Sequence, residues 1–348
     1  MHWELSDEQE MFSKSLREWT AAKYGTATVR QLQSDGDAAT FTASLVEEGW
    51  WGVGYSEESG GQGGGVLELA LASREFGRSA VPSSAWLGAA IAAPLLTEEE
   101  LSQQLSGEVT FAVAVRADRV PNWTPAPGPV AHVLGAAEAD VFLVPTSSGN
   151  DGRVGFARIN ASAATLHADD LLDRSRSTSA VEFSTDAAAA ASVVDTDPSA
   201  AQRASNIAAV LVAADALGCA EKMLELSVQY SLQRKQFGQL IGSFQAVKHA
   251  AAQMLVTVEA SYSTALYAGA AIDTGLIDAS AVAAVAKAQV TGSVADVADT
   301  ALTVHGAIGY TWEHDLQLFY KRAKLDRTLF GSPPVWNELI ATWLLDGS

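Results

Sequence analysis

Apolar positions along the chain fall into three blocks of different period. In the first, Ser6-Asp7-Glu8-Gln9 has the form of a capping box, and Phe12, Leu16 and Trp19 follow at helical spacing, so an amphipathic helix starts there. Further helical stretches are predicted around Phe41 to Glu48, Val66 to Phe76 and Trp86 to Leu96. Between them runs Gly60-Gly61-Gln62-Gly63-Gly64-Gly65. No Lys-Ser/Thr follows it and no convincing strand precedes it, so it reads as a connecting turn rather than a phosphate loop.

From Val109 to about Val194 the period changes. Thr110 to Val115, Ala131 to Leu134, Val141 to Pro145, Val154 to Ile159 and Ala180 to Phe183 are short β-prone runs broken by turn residues. From Ser199 onward the helical pattern returns, with long stretches at 200–232, 239–273 and 277–303 and shorter ones at 312–327 and 333–346. Alanine-rich helices of this length joined by short connections argue for an antiparallel bundle. The reading is a mainly α protein with a small β-domain: a helical domain over 1–108, a β-domain over 109–195 and a helical bundle over 196–348.

Composition agrees with packed helices, since 48% of residues are hydrophobic and 18% are charged. A formal charge of −19 repels nucleic acid and anionic membranes, so any phosphate-bearing ligand must be held by a local basic cluster. Cys219 is the only cysteine, which excludes an internal disulfide, and with no histidine at fixed spacing it reads as an inert core thiol. No apolar run approaches the ~18 residues of a membrane span. The Met-His-Trp-Glu-Leu-Ser start lacks the form of a signal peptide, which places the protein in the cytoplasm.

Two stretches of the last block carry a resemblance. The first is Arg234-Lys235-Gln236-Phe237-Gly238-Gln239-Leu240-Ile241-Gly242-Ser243-Phe244-Gln245. The second runs from Val304-His305-Gly306-Ala307-Ile308-Gly309-Tyr310 to Asp315, followed by Tyr320-Lys321-Arg322-Ala323-Lys324. The first resembles the Arg-x-x-Phe-Gly…Gln signature of the acyl-CoA dehydrogenases, and the second that family's glycine turn. The resemblance covers nearly the whole chain and implies the family's order of helical domain, β-domain and four-helix bundle.

It also implies FAD shared across a subunit interface. Arg234, Gln236, Phe237 and Gln245, with Gly306, Ala307 and Gly309, would touch a flavin seated mainly in another chain. An arginine offers phosphate a charged fork, a phenylalanine offers adenine a face, and a glycine turn lets backbone N–H groups approach the pyrophosphate. Two positions depart from the family, which usually has glutamine where Thr303 stands and glycine where Ala307 stands.

The family's reaction removes an α-proton from an acyl-CoA thioester with a glutamate while hydride leaves the β-carbon for the flavin. In most members that glutamate lies in a Tyr-Glu-Gly-Thr segment, which Leu329-Phe330-Gly331-Ser332 matches, so Phe330 occupies the base position. In others it lies early in the first bundle helix, where this chain has Ala208 and Ala209. The family's flavin-gripping loop and its Trp-Ile-Thr/Ser segment also lack counterparts. In their place stands Arg116 to Pro129, whose Trp123 reads as packed on its own domain rather than as a displaced flavin neighbour.

No catalytic residue is therefore assigned. The pattern resembles the short subunits of heterotetrameric acyl-CoA dehydrogenases, which pair with a full-length, glutamate-bearing subunit in an α2β2 assembly that binds the acyl-CoA. In that group the substrates are commonly steroid side-chain CoA thioesters. Two rival readings are a self-sufficient homomeric flavoprotein, with an atypical base or monooxygenase-type chemistry, and a flavin-free scaffold. Asp215, Glu221 and Glu225 are the candidates for a relocated base, although Glu221 and Glu225 share a helix face and are expected to meet solvent or Lys222-like partners. His305 and His314 lack a third ligand nearby, so helix-cap or interface roles are expected and no metal is implied.

Overall fold

The capping box at Ser6 starts the first helix, with Ser6 Oγ accepting from the Gln9 N–H and Gln9 Oε1 accepting from the Ser6 N–H. The computed structural model describes residues 4–125, 128–147 and 153–346. Met1 to Trp3, on which the signal-peptide reading partly rests, and Ala126 and Pro127 of the proline-rich loop lie outside the described residues.

The N-terminal helices are α1 (Asp7–Lys23), α2 (Thr26–Asp35), α3 (Ala39–Glu47), α4 (Val66–Ser79), α5 (Ser84–Ala92) and α6 (Glu98–Leu105). The sequence pattern missed α2 and α6. Each buries only two residues, Val29 and Leu32 in the first and Gln104 and Leu105 in the second, so neither shows a clear apolar stripe. The glycine run before α4 is a turn bridged by Tyr55 and Gly63. The Asp273 carboxylate accepts from the N–H groups of Val66 and Leu67 at 2.8 and 2.9 Å, so a carboxylate already occupies the N-terminus of α4.

The middle region holds two sheets. Strands β1 (Phe111–Val113), β3 (Val141–Thr146), β4 (Val154–Asn160) and β7 (Ser192–Thr196) form one, in the order β1-β3-β4-β7, with only the β1–β3 pair parallel. Strands β2 (Val130–Leu134), β6 (Thr178–Phe183) and β5 (Ala164–Ala168) form the other, which is antiparallel throughout. Strands β5 and β7, like the short α7 (Thr185–Ala190) between the sheets, escaped the sequence pattern. They are mostly exposed, so no apolar run marks them.

Five helices form the C-terminal part: α8 (Pro198–Ser231), α9 (Gln245–Asp273), α10 (Ala279–His305), α11 (Leu316–Asp326) and α12 (Pro333–Asp346). Arg203 near the start of α8 reaches the Ile272 carbonyl near the end of α9, so these two run antiparallel. Asn206 donates to Ser280 at the start of α10, and Tyr230 near the end of α8 meets His305 at the end of α10, so α8 and α10 run parallel. Two expected helix starts are corrected. The stretch expected from 239 begins at Gln245, because a two-strand hairpin and a 3-10 turn precede it, and the stretch expected from 312 begins at Leu316.

Helices α4 and α8 meet at two glycines. A Cβ on Gly77 would lie 2.0 Å from the Asp215 carbonyl oxygen, and one on Gly218 would lie 1.9 Å from that of Arg74. No real Cβ tolerates such distances, so glycine at both positions lets the backbones touch and joins the N-terminal helices to the bundle. Among the described residues no helix is long and apolar enough to cross a membrane.

Candidate functional site

The two motif stretches lie at one end of the bundle. Tyr230 stacks on His305 with ring centroids 4.7 Å apart, and His314 meets His305 edge-on at 4.7 Å. This aromatic trio ties the segment that leaves α8 to the one that leaves α10. His314 Nδ1 accepts the Leu316 N–H at 3.1 Å and so caps α11, while His305 Nδ1 lies 2.8 Å from the Ala301 carbonyl. Burial pushes both imidazoles below their ordinary pKa.

Beyond Tyr230, Lys235–Gln236 (β8) pairs antiparallel with Gln239–Leu240 (β9). The two residues between them, Phe237 and Gly238, both have positive φ, at 51° and 81°. This is the geometry of a tight hairpin turn, in which asparagine or glycine is the usual first residue. A phenylalanine there carries a strain of roughly 1–2 kcal/mol. Its ring is 92% exposed and meets Phe244 edge-on at 6.2 Å, so little inside this chain compensates the strain.

Arg234, Gln236 and Gln245 are likewise exposed, and Arg234 makes no ion pair among the described residues. In the second stretch Gly306 (φ 65°) and Ala307 face solvent, and Ile308 and Tyr310 are 40% and 74% exposed. Gly309 is buried instead. A Cβ there would press on Leu302, His305 and Leu316 within about 3.1 Å, so packing within the chain is enough to require glycine. Thr303 donates to the Asp299 carbonyl of its own helix.

The expected base positions lie elsewhere, where the β-sheets meet the bundle. Phe330 is 2% exposed with φ 54°, and its N–H donates to the Ala117 carbonyl at 2.5 Å. The loop after Ala117 closes over it: a Cβ on Gly331 would touch Val120, and Trp336 Nε1 donates to the Phe330 carbonyl at 2.9 Å. Trp123 packs edge-on against Phe156 and donates to Ser205 Oγ at 3.1 Å. Ala208 and Ala209 are fully buried in α8. Two cavities of about 160 and 260 Å³ border the loop.

The three candidate carboxylates are each engaged. Glu221 is held by Arg74 at 2.6 Å and Arg78 at 3.4 Å, and Glu225 by Arg78 and Lys222, so of the two expected surroundings, solvent or basic partners, both acids meet the second, with the arginines supplied by α4. Asp215 sits in a buried network the sequence did not reveal. Arg322 Nε donates to Asp173 at 2.6 Å, and its other nitrogens reach Asp215, the Val81 carbonyl and Ser175. Arg176 donates to Asp215 at 2.7 Å and to Ser83 at 2.9 Å. Burial opposes the charge on Arg322, but Asp173, Asp215 and Asp326 outweigh it and raise its pKa.

Burial, with Asp215 alongside, pushes the Asp326 carboxyl well above the carboxylate range. Lys287, also fully buried, donates to the Asp326 and Gly331 carbonyls at 3.0 and 2.9 Å, and burial lowers its pKa to about 7. Asp215, Cys219 and Asp326 place ligand atoms within 4.8 Å of one another, but with two guanidiniums on Asp215 the cluster is a salt-bridge hub rather than a metal site. Burial pushes the Cys219 thiol up, keeping it protonated.

Comparison with known proteins matches the description "Acyl-CoA dehydrogenase, N-terminal domain" over residues 6–103 and "Acyl-CoA dehydrogenase, C-terminal domain" over residues 199–345. The chain is 35% identical to Acyl-CoA dehydrogenase FadE34 of Mycobacterium tuberculosis over 338 residues, covering 92% of this chain but 45% of that one. It thus spans less than half the length of that relative. It is 30% identical to Acyl-CoA dehydrogenase IpdE2 of the same organism, covering 94% of both. Among solved structures, the Tcur3481-Tcur3483 steroid ACAD G363A variant matches with a TM-score of 0.86 at 22% identity, covering 98% of both chains. The ChsE4-ChsE5 complex from Mycobacterium tuberculosis matches with a TM-score of 0.83 at 20% identity, covering 99% of both. At these identities the two structures speak for the fold alone.

Proposed function

The chain belongs to the acyl-CoA dehydrogenase family, and on that premise we propose that it is the non-catalytic subunit of a heteromeric, FAD-dependent acyl-CoA dehydrogenase. Its partner is a full-length subunit that carries the glutamate and binds the acyl-CoA, in an α2β2 assembly. The observation that carries the reading is Phe330: at the position where the resemblance expects the base stands a side chain that cannot take a proton, buried beneath the loop that starts at Ala117. The rival carboxylates Asp215, Glu221 and Glu225 are all tied up in ion pairs.

The opposite holds for the surface that would serve a neighbour. Arg234, Gln236, Phe237, Gln245 and the turn at Gly306 and Ala307 stand exposed at one end of the bundle. Phe237 keeps a strained backbone to present its ring outward. This donor set fits an adenosine diphosphate moiety, with the guanidinium for phosphate and the ring for adenine. FAD held mainly by the partner would supply the hydride acceptor, and this chain's residues would hold and orient its nucleotide end.

Two of the matched structures carry paired names, Tcur3481-Tcur3483 and ChsE4-ChsE5, and the matched relative FadE34 extends well beyond the segment it shares with this chain. Both facts support a partner of similar kind. A steroid side-chain CoA as substrate is supported by the likeness to Tcur3481-Tcur3483, which is a steroid ACAD. The test is to express this chain alone and with a full-length partner dehydrogenase, then measure FAD per polypeptide and native mass. About one FAD per two chains, only in the mixed complex, is expected. One FAD per chain in the lone protein, with acyl-CoA oxidation, would overturn the reading.

A further inference from the structure

We propose that the cleft where α8, α10 and α12 meet the 120–123 loop is a binding pocket for a small, neutral, mostly apolar molecule. The ligand class is an alicyclic or branched aliphatic body of about ten carbons with one hydroxyl or carbonyl group. The proposal goes beyond the subunit role above and does not depend on it.

The cavity measures about 260 Å³, and none of its lining residues is titratable. For scale, an apolar cavity of about 150 Å³ takes up benzene, so this one suits a bicyclic skeleton while remaining too small for a tricyclic flavin. Its walls are set in advance. Trp336 gives its indole N–H to the Phe330 carbonyl at 2.9 Å, and Trp123 gives its own to Ser205 Oγ at 3.1 Å. Both N–H groups are therefore satisfied by the protein, and the rings are left to offer apolar surface. Ala281 and Ala284 keep the α10 side low, which is where the volume comes from.

Unspent polar capacity lies with Gln202 and Ser280, both exposed and both lining the cavity. Gln202 Nε2 donates to Asn206 Oδ1 at 2.9 Å, and Asn206 Nδ2 donates to Ser280 Oγ at 3.0 Å. That chain leaves the Gln202 carbonyl oxygen as an acceptor and the Ser280 hydroxyl as a donor. A ligand hydroxyl or carbonyl meets both, whereas a charged group would find no countercharge among the lining residues. With no acid or base present, the pocket binds without chemistry. Because Trp336 holds the Phe330 carbonyl, an occupant touches the segment that shuts the base position.

The test titrates the full chain with 2-decalol by calorimetry, beside decanoate as a charged control. Saturable one-site binding with a dissociation constant below about 1 mM is expected for 2-decalol, with none for decanoate. Leu339→Trp fills the cavity from a half-exposed wall position and so preserves folding, and Ala284→Leu fills it from α10. Each should weaken binding at least about tenfold. Absence of saturable 2-decalol binding, binding of decanoate at similar strength, or binding that survives Leu339→Trp in a folded variant would overturn the proposal.

Discussion

Phe237→Ala separates what the hairpin does inside this chain from what it does for a neighbour. In the lone chain the ring is 92% exposed, with an edge contact to Phe244, so truncation should change stability by no more than about 0.5 kcal/mol. The backbone at φ 51° is strained for any residue with a Cβ, so Phe237→Gly should stabilise the lone chain by roughly 1 kcal/mol. In the mixed complex the same changes remove an aromatic platform for adenine. Base–aromatic stacking is worth about 1–3 kcal/mol, which corresponds to a rise in the FAD dissociation constant of about 5- to 150-fold. Urea unfolding of the lone chain gives the first quantity, and FAD titration of the deflavinated mixed complex gives the second. If FAD affinity is unchanged in an intact complex, the hairpin does not hold the nucleotide. If the lone chain loses more than about 1 kcal/mol, the ring is a packing residue rather than a platform held out for a ligand.

Arg322→Met leaves Asp173 and Asp215 buried with one guanidinium fewer, so stability should fall by about 3–5 kcal/mol, read as a lower urea midpoint at constant m-value. Lys287 titrates at about 7 in the folded chain against 10.5 when unfolded, so between those values the unfolded state binds more protons and stability rises with pH. Below pH 7 its burial penalty is present in full. Lys287→Met removes this dependence, so the stability of the variant relative to wild type should decline from pH 7 toward pH 10, by an amount on the order of 4 kcal/mol; paired urea titrations that stay parallel would contradict it. Phe330→Glu should restore no activity to the lone chain, because it places a carboxylate under the closing loop, and it should cost about 2–4 kcal/mol; acyl-CoA turnover by that variant would show that the loop opens.

Much of the fold was legible because long helices and short strands bury apolar residues at different periods. What escaped was marginal or exposed: α2 and α6 bury two residues each, and β5 and β7 lie mostly at the surface. Their places are set by neighbouring elements rather than by their own pattern. The exposed half of the candidate site was legible for a chemical reason, since Arg234, Phe237 and the glycine turn occur as contiguous motifs. Gly309 was the exception, because sequence does not distinguish a glycine needed for a ligand from one needed by Leu302 and Leu316.

The buried network was not legible from spacing, since Arg322 lies 107 residues from Asp215 and 149 from Asp173. One local signal did exist. Asp215 is the only charged residue in Ile207–Ala220, a run buried on every side, and an acid so placed must be met by a cation. A mobile base at that position would have to leave its cations and bear that cost. The network also fixes the frame around residue 330. Arg322 belongs to α11, and Lys287 donates to the carbonyls of Asp326 and Gly331, so the turn that carries residue 330 is held by hydrogen bonds to residues on either side of it. A glutamate or a phenylalanine would be held by the same turn. The frame of residue 330 is therefore set largely by side chains other than its own.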